Sequence, residues 1–198
     1  MAEYLSTNIL SEAVSSLELV MENLSLIEKD VYRWKWVVIA LHNSMQNIMV
    51  SALKQGNGFH SMTKDSYKKW VEAYENKQPL PPTKLANFLD LYKRIKKKSI
   101  MECYVGSKAF EAKQEHTEAV KKLNTIRNRF IHFELDVWSL ETASMPKLSL
   151  YCMDVVRFLV FDSGNILISN EPQRVNLQNT VSQTIRMFEH LDSKLKNS

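Results

Sequence analysis

Apolar residues recur every three or four positions along most of this chain, the period of an α-helix that turns one face to a core. Leu10, Ala13, Val14, Leu17, Val20, Met21, Leu24 and Ile27 trace one such stripe, with Ser6 or Thr7 placed to cap its start. Trp34, Val38, Leu41, Met45, Ile48 and Ala52 trace a second, with Asp30 as its cap and Gly56-Asn57-Gly58 as its stop. Two long helices with so short a joint pack most simply as an antiparallel pair.

The pattern loosens after Gly58. Tyr67, Trp70, Val71 and Tyr74 predict a short helix over 64–76, followed by the breaker Pro79-Leu80-Pro81-Pro82. This stretch, residues 56–83, reads as an irregular insert between core helices. Helical spacing resumes with Leu85, Phe88, Leu89, Tyr92 and Ile95, where Thr83 is the expected cap and the end falls between Ser99 and Gly106. A helix beginning between Lys113 and Thr117 follows, with Leu123, Ile126, Phe130, Phe133 and Val137 on its buried face and a break around 134–136. Leu148, Tyr151, Cys152, Val155, Val156 and Leu159 predict the next, after Pro146 and before Asp162-Ser163-Gly164-Asn165. The run 166–169 has the character of an extended segment, and Leu177, Val181, Ile185, Phe188, Leu191 and Leu195 mark a last helix capped by Asn176.

The expected fold is all-α: an up-and-down helical bundle with one irregular insertion, a single domain over residues 1–198. Only four Gly and five Pro agree with that reading, since strand-and-turn architectures need more turn residues. The net charge of +4 permits contact with a phosphate backbone without by itself announcing one. Cys103 and Cys152 stand apart with no metal-binding or disulfide spacing, which reads as reduced thiols in a cytoplasmic protein. No signal-like start and no apolar run near ~18 residues is present, so no membrane partner is expected. The five histidines show neither H-x3-H nor H-E-x-x-H spacing, and the expectation is no metal and no cofactor.

The densest chemistry lies between Lys122 and Leu140, in KLNTIRNRFIHFELDVWSL. At about 100° per residue, Arg127, Ile131, Asn128 and His132 fan out in that order across the face turned away from the core stripe. A fully solvated face has no use for Ile131, so another element or a second chain is expected to cover it. Residues five apart on a regular helix point roughly 140° away from each other, so Arg127 and His132 converge only if the helix distorts or two chains combine.

Arg127-Asn128-x3-His132, with its flanks IRNRFIHF and the later Trp138, resembles the Arg-x4-6-His signature of the HEPN superfamily, in the form with a polar residue after the Arg. The resemblance implies an all-α bundle, usually a homodimer, in which two motifs meet to form a metal-independent ribonuclease site. It also implies RNA as substrate and a toxin-antitoxin or phage-defence setting with an antitoxin protein as a further partner. Carried onto this chain, His132 is the acid-base group, because an imidazole titrates near about 6.5. Arg127 supplies positive charge to the scissile phosphate, and Asn128 orients the imidazole or the phosphate. Ile131 is the expected dimer contact. In the branch of the family neutralised by nucleotide transfer, a Tyr stands four residues after the His; here that position is Asp136, which puts such neutralisation in doubt.

Further RNA contacts are expected from Arg129 and from the basic run containing Lys93, Arg94, Lys96 and Lys97, for which a solvated helix end is the alternative. His42, beside Asn43 and Gln46 on the flank of the second helix, is a candidate to line the site, with a structural hydrogen bond as the plainer reading. The competing function is a catalytically silent helical dimer that binds RNA, a nucleotide or a protein partner. A small-molecule pocket among the aromatic residues is a third reading.

Overall fold

The computed structural model describes residues 4–132 and 137–197. Among them the chain forms eight α-helices, and the only β pairing is an isolated bridge between Met62 and Leu85. The segment 166–169, expected as extended, pairs with nothing as a strand.

The first two helices, α1 (Ile9–Ser25) and α2 (Arg33–Lys54), pack along their length. Ser44 Oγ donates to the Ala13 carbonyl at 2.9 Å, and Arg33 Nη1 reaches Asn23 Oδ1 at 3.5 Å, so early positions of one helix face late positions of the other. The pair is antiparallel, as its short joint requires. The cap of α1 is Asn8 rather than Ser6 or Thr7; its Oδ1 accepts from the backbone N–H groups of Leu10 and Ser11. Asp30 does not cap α2 but accepts from Tyr32 N and pairs with Arg33 in the joint.

The axis of the molecule is α2. It buries Leu41, Met45, Ile48, Met49 and Leu53 completely, each contributing about 1.5–3 kcal/mol of hydrophobic stabilisation before entropy is charged against it. It ends at Gln55, in the left-handed region, and Gly58 (φ 75°) turns the chain into the insert. The insert holds a short 3-10 turn, Phe59–Ser61, and α3 (Lys64–Glu75), capped by Thr63. It is fastened back by backbone bonds from Thr63 N to Lys84 O and from Ala86 N to Ser61 O.

Helix α4 (Phe88–Ile95) starts at the Asn87 cap, four residues later than the expected Thr83, because Leu85 is held in the bridge with Met62. A single turn, α5 (Lys98–Met101), follows. Helix α6 (Gln114–Ile131) packs against α2 and against α7 (Met145–Arg157). His116, buried at its start, accepts from Lys113 N at 3.0 Å and faces Asp154 of α7 at 3.4 Å. The end of α6 falls at Ile131. Val137, expected on its buried face, is fully exposed beyond it, and the expectations for Phe133, for a break at 134–136 and for Asp136 lie outside the described residues.

A π-helical turn, Phe158–Asp162, extends α7; Ser163 N donates to the Phe158 carbonyl at 2.9 Å, five residues back. Helix α8 (Glu171–Lys196) is capped by Asn170, not Asn176. It runs parallel to α1: Gln173 reaches Asn8, and Lys194 reaches Glu28 at the far end. No helix among the described residues is long and apolar enough to cross a membrane.

Candidate functional site

Leu123 and Ile126 bury one face of α6 and so fix the rotation of the whole helix. That rotation half-buries Asn124, Arg127 and Asn128 beside α2 and leaves Ile131 and His132 exposed at the end. The element expected to cover the motif face is therefore α2 for its first turn, while Ile131 keeps 37% of its surface in solvent.

The motif residues meet a polar group from the core. His42 is only 2% exposed and lies over the Phe88 ring, with centroids 3.9 Å apart and planes 23° apart. Its Nε2 bonds to Asn124 Oδ1 at 3.1 Å. Burial pulls the imidazole down to about 4; the Asn124 bond opposes that fall and the Arg127 charge adds to it. His42 is thus neutral near pH 7. A neutral ring that faces an amide oxygen carries its proton on Nε2, which leaves Nδ1 a bare acceptor. That Nδ1 is buried without a protein partner, and so is Nε of Arg127. Two uncompensated polar atoms on a motif residue and on its neutral neighbour are costly in a packed core.

The guanidinium is held from its other end, where Arg127 Nη1 donates to Asn128 Oδ1 at 3.1 Å. His132 is the residue at which α6 ends. Its N–H closes the last turn on the Asn128 carbonyl at 2.8 Å, while its own backbone is extended (φ −97°, ψ 111°). The chain leaves the helix immediately after His132.

The structure thus groups Arg127 with Asn128, Asn124 and His42 and sets His132 in solvent at the end of the same helix. His42 is too buried to touch a strand of RNA and lies behind the motif, bonded to Asn124. Asn124 escaped the sequence reading. Its spacing of three and four residues from Arg127 and Asn128 puts all three on one face, and that was the available signal.

The remaining candidates lie elsewhere. Arg129 stands over the Trp138 ring at 5.6 Å, and Trp138 packs on Phe130 at 4.9 Å, beside a cleft of about 450 Å³ that includes Val31, Tyr32 and Thr142. Lys93 pairs with Asp90 at 3.1 Å. Arg94 is a structural clamp whose Nη1 donates to the carbonyls of His60 (2.8 Å) and Met62 (2.5 Å). Lys96 lies over Tyr92 at 4.5 Å, and its ammonium is pushed down by burial and then by the charges of Lys121 and Lys93. Lys97 is exposed before α5. Among the described residues no cluster of His, Cys, Asp or Glu has the makings of a metal site.

No protein family, no curated protein and no solved structure matches this chain.

Proposed function

We propose that this protein is an endoribonuclease of the HEPN kind, cutting RNA by attack of a ribose 2′-oxygen on the adjacent phosphorus. The reading rests on the resemblance of Arg127-Asn128-x3-His132 to that family's signature. The observation that supports it further is that the last turn of α6 ties the Arg127 guanidinium to Asn128 while His132, the residue after that turn, is in solvent. A histidine sealed in the core favours the silent binder; His132 is in solvent.

In the proposed reaction one His132 accepts the 2′-hydroxyl proton and the His132 of a second copy donates one to the departing 5′-oxygen. The products are a 2′,3′-cyclic phosphate and a free 5′-hydroxyl, so the proton count is restored at each turnover. Arg127 neutralises charge that gathers on the phosphoryl oxygens, and Asn128 keeps its guanidinium from swinging away. Neutral His42 leaves Arg127 as the sole cation of this inner cluster, where a charged imidazole would repel it. A homodimer joined across Ile131 brings the two motifs face to face and covers that side chain. The ammonium of Lys96, at the end of α4, lies within reach of the charges of Lys93 and of Lys121 on the motif helix, a basic surface that suits the phosphates of a bound strand.

The test is incubation of the purified protein with single-stranded RNA in chelator, beside His132→Ala. Cleavage products ending in cyclic phosphate, lost in the variant, are expected. Equal cleavage by both proteins, or none by either across varied RNA sequences, sinks the proposal.

A further inference from the structure

A groove of about 690 Å³ lies on another part of the surface, between the insert and the segment around α4 and α5. The rings of Phe59, Tyr67 and Tyr104 line it, together with Lys64, Arg94 and Cys103. None of its lining residues is an Asp or Glu.

Two features separate this groove from ordinary surface relief. The first is aromatic. Phe59 meets Tyr67 edge-on at 5.1 Å and Trp70 at 4.7 Å, and Trp70 stacks on Tyr74 at 5.5 Å. None of these four rings belongs to the hydrophobic core, and Tyr67 and Tyr104 keep 43% and 40% of their surface exposed. A short insert that places so many rings outside the core is a platform for a flat partner.

The second is the fixed cation. Arg94 Nη1 is committed to the carbonyls of His60 and Met62, which sets the plane of the guanidinium; no bond to a described residue engages its Nη2 or Nε. A preset guanidinium at the wall of a groove without carboxylates favours a phosphate. The volume lies within the range of small-ligand sites, about 300–1,000 Å³.

We propose that this groove binds a nucleotide, with the base against the Phe59 and Tyr67 rings and the phosphate on Arg94 and Lys64. The inference is independent of the α6 motif. A free mononucleotide and an unpaired nucleotide within a strand offer the same chemistry, and the test separates them.

Cys103 is the reporter, because it is exposed in the groove while Cys152 is buried with its thiol pushed far up by desolvation. The rate at which a disulfide reagent modifies Cys103 is measured with AMP, with a 2′-O-methyl oligouridine that resists cleavage, and with inorganic phosphate. Binding of each is measured in parallel by calorimetry. AMP and the oligonucleotide are both expected to bind and to slow the reaction if the site accepts free nucleotides; binding by the oligonucleotide alone assigns it to strands. Tyr67→Ala, at an exposed position, is expected to weaken that binding about tenfold, the loss of one base-aromatic stack, with helical content unchanged. Lys64→Gln is expected to weaken it less. No binding by either nucleotide probe overturns the proposal, as does phosphate binding equal to that of AMP, or unchanged affinity in Tyr67→Ala.

Discussion

Replacing His42 with Phe is expected to make the protein less stable at neutral pH and more stable in mild acid. The ring still stacks on Phe88, but the bond to Asn124 is gone, at about 1 kcal/mol for one net hydrogen bond. Titration supplies the opposite effect. In the unfolded chain the imidazole takes a proton near its ordinary 6.5, whereas the folded environment holds it neutral down to about 4. A depressed histidine therefore contributes stability that is complete above about pH 6.5 and is lost as the pH falls toward 4. At about 1.4 kcal/mol per decade of proton affinity the full loss is roughly 3 kcal/mol, of which about 2 falls between pH 7 and 4.5. The variant escapes that loss, so the two stability curves cross. Urea unfolding followed by circular dichroism at several pH values in that window measures both arms. Lowered carboxylates such as Glu28 and Asp90 titrate in both proteins and drop out of the difference. Parallel curves, with the variant lower throughout, refute the claim that the buried imidazole stays neutral.

Ile131→Glu is expected to yield a monomer in sedimentation while leaving the thermal midpoint within a few degrees, because the side chain is partly exposed in the single chain. RNA cleavage is expected to fall with dimerisation. Arg127→Lys keeps the charge but loses the planar grip on Asn128; a drop in turnover on the order of 10²-fold is expected, read from initial rates with RNA. Arg94→Met removes two bonds to the backbone of the insert, and limited proteolysis is expected to cut within 56–87 faster than in the wild type while the core helices survive.

The long helices were readable because each carries an apolar stripe that only one rotation can bury. Their beginnings were less so. Ser6, Thr7 and Asn8 are all suitable caps, and only the backbone decides which one meets the free N–H groups. At α8 a signal went unused: Pro172 sits comfortably in a first turn, which favours Asn170 over Asn176 as the cap. The π-helical turn after α7 left no mark in periodicity; Ser163, which closes it, also accepts from the distant Lys108 N. At the site, spacing alone isolated Arg127, Asn128 and His132. It could not show that His42, 82 positions before Asn124, reaches the same group, because contacts of that range depend on how helices are laid together. Val137 was misplaced for a related reason: it keeps the helical rhythm of the buried stripe, yet α6 ends at Ile131 and Val137 lies fully exposed beyond it.

The parallel docking of α8 on α1 joins positions 165 and 166 residues apart, so α1 is made long before its partner arrives. Closing so large a loop costs chain entropy that local contacts do not repay, and topologies of this sort assemble late. Until then the Leu177, Val181 and Phe188 side chains lack the α1 side of the interior in which they are finally buried. Vectorial synthesis thus puts an interval between the making of α1 and the arrival of the helix that lies beside it.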